Sequence, residues 1–113
     1  MRQLDIKVEE TPGTSLVILD GSVDQATVDH FRRVLDGVCG RDGIKVLLDC
    51  QGLGYASSNC FGLLAKYTEA CKKHGGRFAV CSCQNKLRMI IETLGLDNVL
   101  KLYDTREEAL RSF

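Results

Sequence analysis

The fold of this chain is decided by residues 44–64, which read IKVLLDCQGLGYASSNCFGLL. The run Val46–Leu48 is apolar throughout, which is typical of a strand buried on both faces. The turn-forming residues that follow the run predict that this strand ends near Cys50. From Asn59 onward apolar residues recur at helical spacing, so a helix is expected there.

The pair Ser57 and Ser58 falls where the N-cap of that helix is expected. The first turn of a helix carries unpaired N–H groups and a partial positive charge of about half a unit, so it favours an anion. A phosphate at this position would also add about two negative charges, enough to repel a partner that fits a bare hydroxyl. The alternative is that one serine simply caps the helix, and both interpretations remain open at this point.

The length of 113 residues predicts one domain, which spans residues 1–113 and is large enough to form a core. Apolar residues make up an ordinary 44% of the chain. Fifteen basic residues balance fifteen acidic ones without a long block of either sign, which gives no reason to expect nucleic-acid binding. No apolar run is long enough for a membrane span, and the first residues lack a signal-peptide core. We therefore expect a cytoplasmic protein without membrane insertion.

Six cysteines are present: Cys39, Cys50, Cys60, Cys71, Cys81 and Cys83. Most occupy apolar positions of the predicted elements, so we expect free thiols packed in the core. No Cys-x-x-Cys pair occurs and the two histidines stand alone, which gives no metal-ligand spacing. Cys81 and Cys83 are expected on one face of the same strand. Cys60, in the first turn of the helix, has a position that lowers a thiol pKa, so a thiol function stays open.

The N-terminal part of the chain predicts a hairpin followed by a helix. Apolar and charged residues alternate from Leu4 to Val8, and a second strand covers Ser15–Leu19 after a Pro-Gly turn. Asp24 is expected to be the N-cap of a helix that ends near residue 38.

The C-terminal part predicts two more strands and two more helices. A strand at Arg77–Cys83 is followed by a helix that opens at Gln84 or Asn85, with four apolar residues on one face: Leu87, Ile90, Ile91 and Leu94. A short strand at Val99–Leu102 comes next. The last helix has a capping box at Thr105 and Glu108, with Ala109 and Leu110 turned inward. The element order β-β-α-β-α-β-α-β-α gives an α/β domain whose mixed β-sheet begins with an antiparallel hairpin.

The loops beyond the strand C-termini are the expected working surface of such a sheet. These loops lead to Asp24, to the serine pair and to Gln84. No nucleotide-binding, hydrolase or metalloprotease motif occurs in them, and no general base lies near either serine in sequence. A binding module is therefore a better hypothesis than an enzyme, and no catalytic residue or cofactor is predicted.

The sequence resembles the STAS domain of bacterial anti-sigma factor antagonists over nearly its whole length. The resemblance rests on the order of elements, on residues 21–24 (GSVD), on residues 46–49 (VLLD), on the turn centred on Ser58, and on the glycines 75 and 76. In this family, a serine kinase that is also the anti-sigma factor phosphorylates a serine or threonine at the head of the second helix. The unphosphorylated form binds that partner and frees the sigma factor.

The resemblance implies roles for individual residues of this chain. The family motif is Asp-Ser-Ser-Gly, an apolar residue and Gly, which places Ser58 at the phosphorylated serine and Phe61 at the apolar position. Asp24 matches the acidic residue presented to the kinase. The implied partner-binding residues are Asp24, Ser57, Ser58, Asn59 and Phe61.

Three motif positions differ from the family pattern. Ser57 stands in place of the aspartate, Asn59 in place of the second serine, and Cys60 in place of the glycine. Ser57 is accordingly a second candidate for the modified residue. The alternatives are a STAS scaffold that no kinase modifies, a transporter-associated STAS subunit, and a thiol-based sensor or enzyme that uses Cys60. The sequence predicts no oligomeric state.

Overall fold

The computed structural model describes residues 3–112 as one mixed sheet with helices on both faces. Its elements are β1 Leu4–Thr11, β2 Thr14–Val23, α1 Val28–Cys39, β3 Lys45–Ala56, α2 Ser58–Lys73, β4 Arg77–Cys81, α3 Asn85–Thr93, a 3-10 turn Leu96–Asn98, β5 Lys101–Tyr103 and α4 Arg106–Ser112. The strand order is β1-β2-β3-β4-β5, with β1 and β2 antiparallel and the other pairs parallel. The predicted α/β architecture with an N-terminal hairpin is confirmed.

The centre of the sheet is buried on both faces. Alternate residues of β3 point to opposite sides, so Val46 and Leu48 join the larger core beneath α1, α2 and α3, whereas Leu47 packs with Ala109 of α4. The continuous apolar run therefore fills both layers, as its pattern predicts.

Strand β3 runs to Ala56 rather than ending near Cys50, so that prediction was wrong. Its continuation pairs with β2 as far as Val23, with two irregularities in register. A Cβ at Gly52 would lie 2.9 Å from the carbonyl oxygen of Leu19. The glycines that indicated a turn thus permit close approach of two strands, which local sequence does not reveal.

Asp24 does not occupy the N-cap of α1, because that helix begins at Val28 with Thr27 as its N-cap. The Asp24 carboxylate instead accepts N–H bonds from Ala26 (2.9 Å) and Thr27 (3.1 Å), which closes a turn before the helix. The helix ends at Cys39, close to the predicted end.

Strand β4 ends at Cys81, two residues before its predicted end. Ser82 adopts a positive φ of 61°, which interrupts the alternation of side chains. Cys81 packs in the α4-side core and Cys83 against the opposite core, so the expectation that they share a face was wrong. The predicted strand at Val99–Leu102 is also displaced, because the 3-10 turn precedes β5.

The last helix confirms the predicted capping box in modified form. The Glu108 N–H donates to Thr105 Oγ1 at 3.0 Å, and the Glu108 carboxylate accepts the Asp104 N–H at 3.3 Å. Ala109 is buried, but Leu110 is 48% exposed, so its predicted inward position was wrong. Consecutive helix residues point about 100° apart, and only one of the two can face the sheet.

An ion pair that the sequence did not predict fixes α4 to the sheet. Arg106 donates to Asp49 Oδ2 from Nε at 2.8 Å and from Nη2 at 2.7 Å. The other oxygen of this buried carboxylate accepts the Gln51 N–H at 3.0 Å, and the hydrogen bond to Asp49 raises the pKa of Arg106. A single aspartate in an apolar run was the available signal.

Candidate functional site

The end of β3 delivers the serine pair directly to the edge of the sheet. Ala56 is the last residue of β3 and pairs with Val23, and the Ser57 N–H donates to the Val23 carbonyl at 2.8 Å. Asp24 follows Val23, so its loop and the serine loop begin side by side. Gln84, the N-cap of α3, follows the neighbouring strand β4 at the same end of the parallel strands. The three predicted loops therefore share one end of the sheet.

Ser57 holds the N-cap position of α2 without acting as a cap. Its Oγ is buried and has no hydrogen-bond partner among residues 3–112. Ser58 is the first helical residue and is exposed, as is Asn59. The first turn of α2 contains no acidic residue, so the positive end of the helix has no carboxylate of its own. The hydroxyl of Ser58 is thus available, and capping does not explain the serine pair.

A mainly apolar groove of about 630 Å³ adjoins Ser58 and runs between α2 and the end of α3. Its walls are formed by Tyr55, Ala56, Ser57, Ser58, Phe61, Gly62, Ala65, Ile90, Leu94 and Leu96. Phe61 is buried at this groove, so it supplies apolar surface only at its edge. Gly62 lies on the α2 wall and has open space where a Cβ would stand.

The α3 wall of the groove was missed by the sequence interpretation. Leu87 and Ile91 are buried, whereas Ile90 is partly exposed and Leu94 is 57% exposed. Leu87 and Ile91 form one column along the helix, and Ile90 and Leu94 form a second column, each with i, i+4 spacing. Only the first column of this nine-residue helix is buried. An apolar stripe wider than one column was the signal for this surface. The neighbouring Met89 is also exposed.

Cys60 does not have the lowered pKa that its place in the first turn of α2 suggested. Its side chain is 1% exposed, and burial raises the pKa of the thiol to about 12. Removal from water therefore outweighs the effect of the helix N-terminus, and the expectation of a lowered pKa for Cys60 is wrong.

Two further observations concern metals and membranes. Across the described range, no three or more side chains of His, Cys, Asp or Glu gather as metal ligands would. None of the helices between residues 3 and 112 has the length and apolar character needed to span a bilayer.

Comparison with known proteins identifies the family. The STAS domain family matches residues 5–109. An anti-sigma F factor antagonist from Paenibacillus polymyxa is 26% identical over 108 residues, which cover 95% of this chain and 92% of the relative. The crystal structure of an anti-sigma factor antagonist from Mycobacterium paratuberculosis has a TM-score of 0.88 at 25% identity, covering 97% of this chain and 93% of that one.

A second structure supports the fold alone, because its identity is only 19%. It is the Bacillus cell fate determinant SpoIIAA in its phosphorylated form, with a TM-score of 0.75 and coverage of 96% of this chain and 98% of that chain. The family match spans nearly the whole chain and agrees with the sheet order and helices described above, and the chain therefore belongs to the STAS domain family.

Proposed function

We propose that this chain is an anti-sigma factor antagonist whose binding to a serine kinase anti-sigma factor is controlled by phosphorylation of Ser58. The binding face comprises Asp24, Ser57, Ser58 and Asn59 together with the groove edged by Phe61. The observation that carries this proposal is the exposed Ser58 hydroxyl at the start of a sixteen-residue helix, directly beside an apolar groove. The two antagonist relatives at 26% and 25% identity support the same function.

In the expected mechanism the apolar groove provides the affinity for the partner, and Ser58 controls whether the partner binds. The apolar groove supplies surface that a partner removes from water, which is the main source of association energy. Ser58 lies at the rim of that groove, so a phosphate there places charge at the edge of the contact. Because the N-terminal end of α2 stabilises an anion, the modified chain has no need to refold, and the phosphate acts on the partner.

The three positions that differ from the family motif, Ser57, Asn59 and Cys60, affect the proposed binding face in different ways. The side chain of Cys60 lies in the core, so it adds no bulk to the binding face. Asn59 is exposed and keeps a polar group beside Ser58. Ser57 supplies no negative charge, but its N–H donates to the carbonyl of Val23, and the next residue along that chain is Asp24. We infer that Asp24 presents an acidic group from this face to the kinase.

Substitution of Ser58 tests the proposal directly. Ser58→Ala is expected to bind the anti-sigma factor with the affinity of the unphosphorylated wild-type chain. Ser58→Asp should bind at least about tenfold more weakly, which corresponds to about 1.4 kcal/mol. Isothermal titration against the purified anti-sigma factor of the same cell measures both. Ser112→Asp, at an exposed position of α4 on the opposite face of the sheet, is the control for added charge. Equal affinity of the Ser58→Asp and Ser58→Ala chains would rule out the switch.

Gly62 provides a second test, in which stability and binding change in opposite directions. Gly62→Ala should raise the free energy of unfolding by about 0.5–1 kcal/mol, because glycine is unfavourable in a helix interior. The added methyl group points into open space on the groove wall, so partner binding should weaken severalfold. Gly37→Ala in α1 also meets open space and is the matched control. It should stabilise equally without changing affinity; weaker binding by both variants would show that the groove is not the cause.

A further inference from the structure

Cys83 differs from the other cysteines in its surroundings. The other five thiols are buried, whereas Cys83 is half-buried. The positive φ of Ser82 turns the chain at the end of β4, which directs Cys83 toward the core that contains Cys50 instead of the core of Cys81. This geometry brings an accessible thiol to a buried one.

The backbone pairing explains why Cys50 and Cys83 meet. Asp49 of β3 pairs with Cys81 of β4, so Cys50 stands beside Ser82 and Cys83 is the next residue along the chain. Cys83 packs against the core cluster that contains Cys50. The interaction between the two thiols lowers the pKa of Cys83, with a further contribution from the charge of Arg88, and raises the pKa of Cys50. Cys83 is therefore the more nucleophilic member of the pair.

A polar cleft gives solvent access to Cys83. The cleft has a volume of about 530 Å³, and its lining includes Gln51, Ser82, Cys83, Thr105 and Arg106. Cys83 lines this cleft and is half-buried, so a small polar molecule that enters the cleft meets this residue, whereas Cys50 is only 2% exposed. One thiol is thus placed to meet an oxidant and the other to react with the product.

We propose that Cys83 and Cys50 form a dithiol oxidation site for a small hydroperoxide, with hydrogen peroxide as the smallest example. The Cys83 thiolate attacks one peroxide oxygen, the O–O bond breaks, and the leaving hydroxide takes up a proton to become water. The Cys50 sulfur then attacks the Cys83 sulfenic acid, an S–S bond forms, and a second water leaves. Two thiols are oxidised and one peroxide is reduced to two waters. This chemistry does not depend on the proposed antagonist function.

The chain contains a matched control for this proposal. Cys39 and Cys71 are also neighbours, because the Cys71 thiol donates to the Cys39 carbonyl oxygen at 3.9 Å and each thiol shifts the pKa of the other. Both residues are buried, with 1% and 0% exposure. Contact without access should leave that pair reduced. Access, rather than thiol contact alone, therefore decides which pair reacts.

The test treats the reduced, folded full chain with one equivalent of hydrogen peroxide and follows its intact mass. We expect the loss of two hydrogens and, after proteolysis under non-reducing conditions, one link between peptides 46–66 and 78–86. Fragmentation must assign the link to Cys50 and Cys83, because each peptide also contains a second cysteine. A Cys39–Cys71 link, a link that involves Cys60 or Cys81, or no oxidation of the folded chain would overturn the proposal.

Single substitutions separate the two roles, with folding checked by circular dichroism. Cys50→Ser should stop the reaction at a Cys83 sulfenic acid that dimedone traps, and Cys83→Ser should prevent fast oxidation. Cys39→Ser should oxidise like wild type. Unchanged oxidation of the folded Cys83→Ser chain would contradict the assignment of the nucleophile, and the mass mapping of wild type decides the matter if a variant does not fold.

Discussion

Leu94→Lys is expected to weaken binding of the proposed anti-sigma factor by about thirtyfold or more. Leu94 is 57% exposed and forms the end of the groove wall beside Ile90. Removal of a leucine side chain from water contributes about 1.5–3 kcal/mol, and about 2 kcal/mol corresponds to that factor. Lysine replaces the apolar surface with a charge that a binding partner must remove from water.

The substitution is designed to spare the fold. Leu94 is the C-cap residue of α3, where a positive charge is favourable, and the side chain already lies mostly in solvent. Leu110→Lys is the matched control, because Leu110 is 48% exposed near the C-terminal end of α4 on the other face of the sheet. Titration calorimetry should show loss of affinity for Leu94→Lys alone. Equal affinities of the two variants would exclude the α2–α3 groove from the binding face.

Gly76→Ala is expected to lower the free energy of unfolding by about 3 kcal/mol or more, the upper end of the cost of overpacking. A Cβ at Gly76 would lie 1.9 Å from the carbonyl oxygen of Ile44 and 2.9 Å from its carbon. Both atoms belong to the backbone of the residue that precedes β3, so relief requires β3 and β4 to separate at this end. The Gly76 N–H also closes the end of α2 by donating to Cys71 at 2.8 Å.

Urea denaturation followed by circular dichroism measures this loss. Gly40→Ala is the control, because its nearest atom, the Asp36 carbonyl oxygen, lies 3.5 Å from the added Cβ, and φ there is −85°. We expect this variant to stay close to wild type in stability. If Gly76→Ala were as stable as Gly40→Ala, the close approach of β4 to β3 would not be a constraint on the fold.

Patterns carried by consecutive residues predicted the fold well. The apolar run of β3, the hairpin alternation and the start of α3 at Asn85 all depend on local sequence, and the structure confirms each of them. The extension of β3 to Ala56 depends on pairing with β2, which is distant in sequence. The end of β4 before Ser82 depends on a backbone conformation that serine rarely adopts, so residue preferences could not predict it.

The candidate site was predictable where chain order alone decides position. Parallel strands bring their C-terminal loops together, which predicted the juxtaposition of Asp24, the serine pair and Gln84. The exposed column of α3 was missed, because helical periodicity gives an apolar stripe but not how much of it the neighbouring elements cover. The prediction of a lowered pKa for Cys60 was wrong for the same reason, because local sequence does not show how deeply neighbouring elements bury the first turn of α2.

The most direct measurement of the central claim uses the anti-sigma factor kinase of the same cell, with ATP and magnesium. The reacted chain is analysed by intact mass and by fragmentation across residues 55–66. The purified phosphorylated form is then titrated against the same partner under conditions in which no ATP is hydrolysed. One phosphoryl group on Ser58 and a loss of affinity of about tenfold or more are the expected result. Phosphate on another residue, or undiminished binding by the chain phosphorylated on Ser58, would contradict the proposed switch.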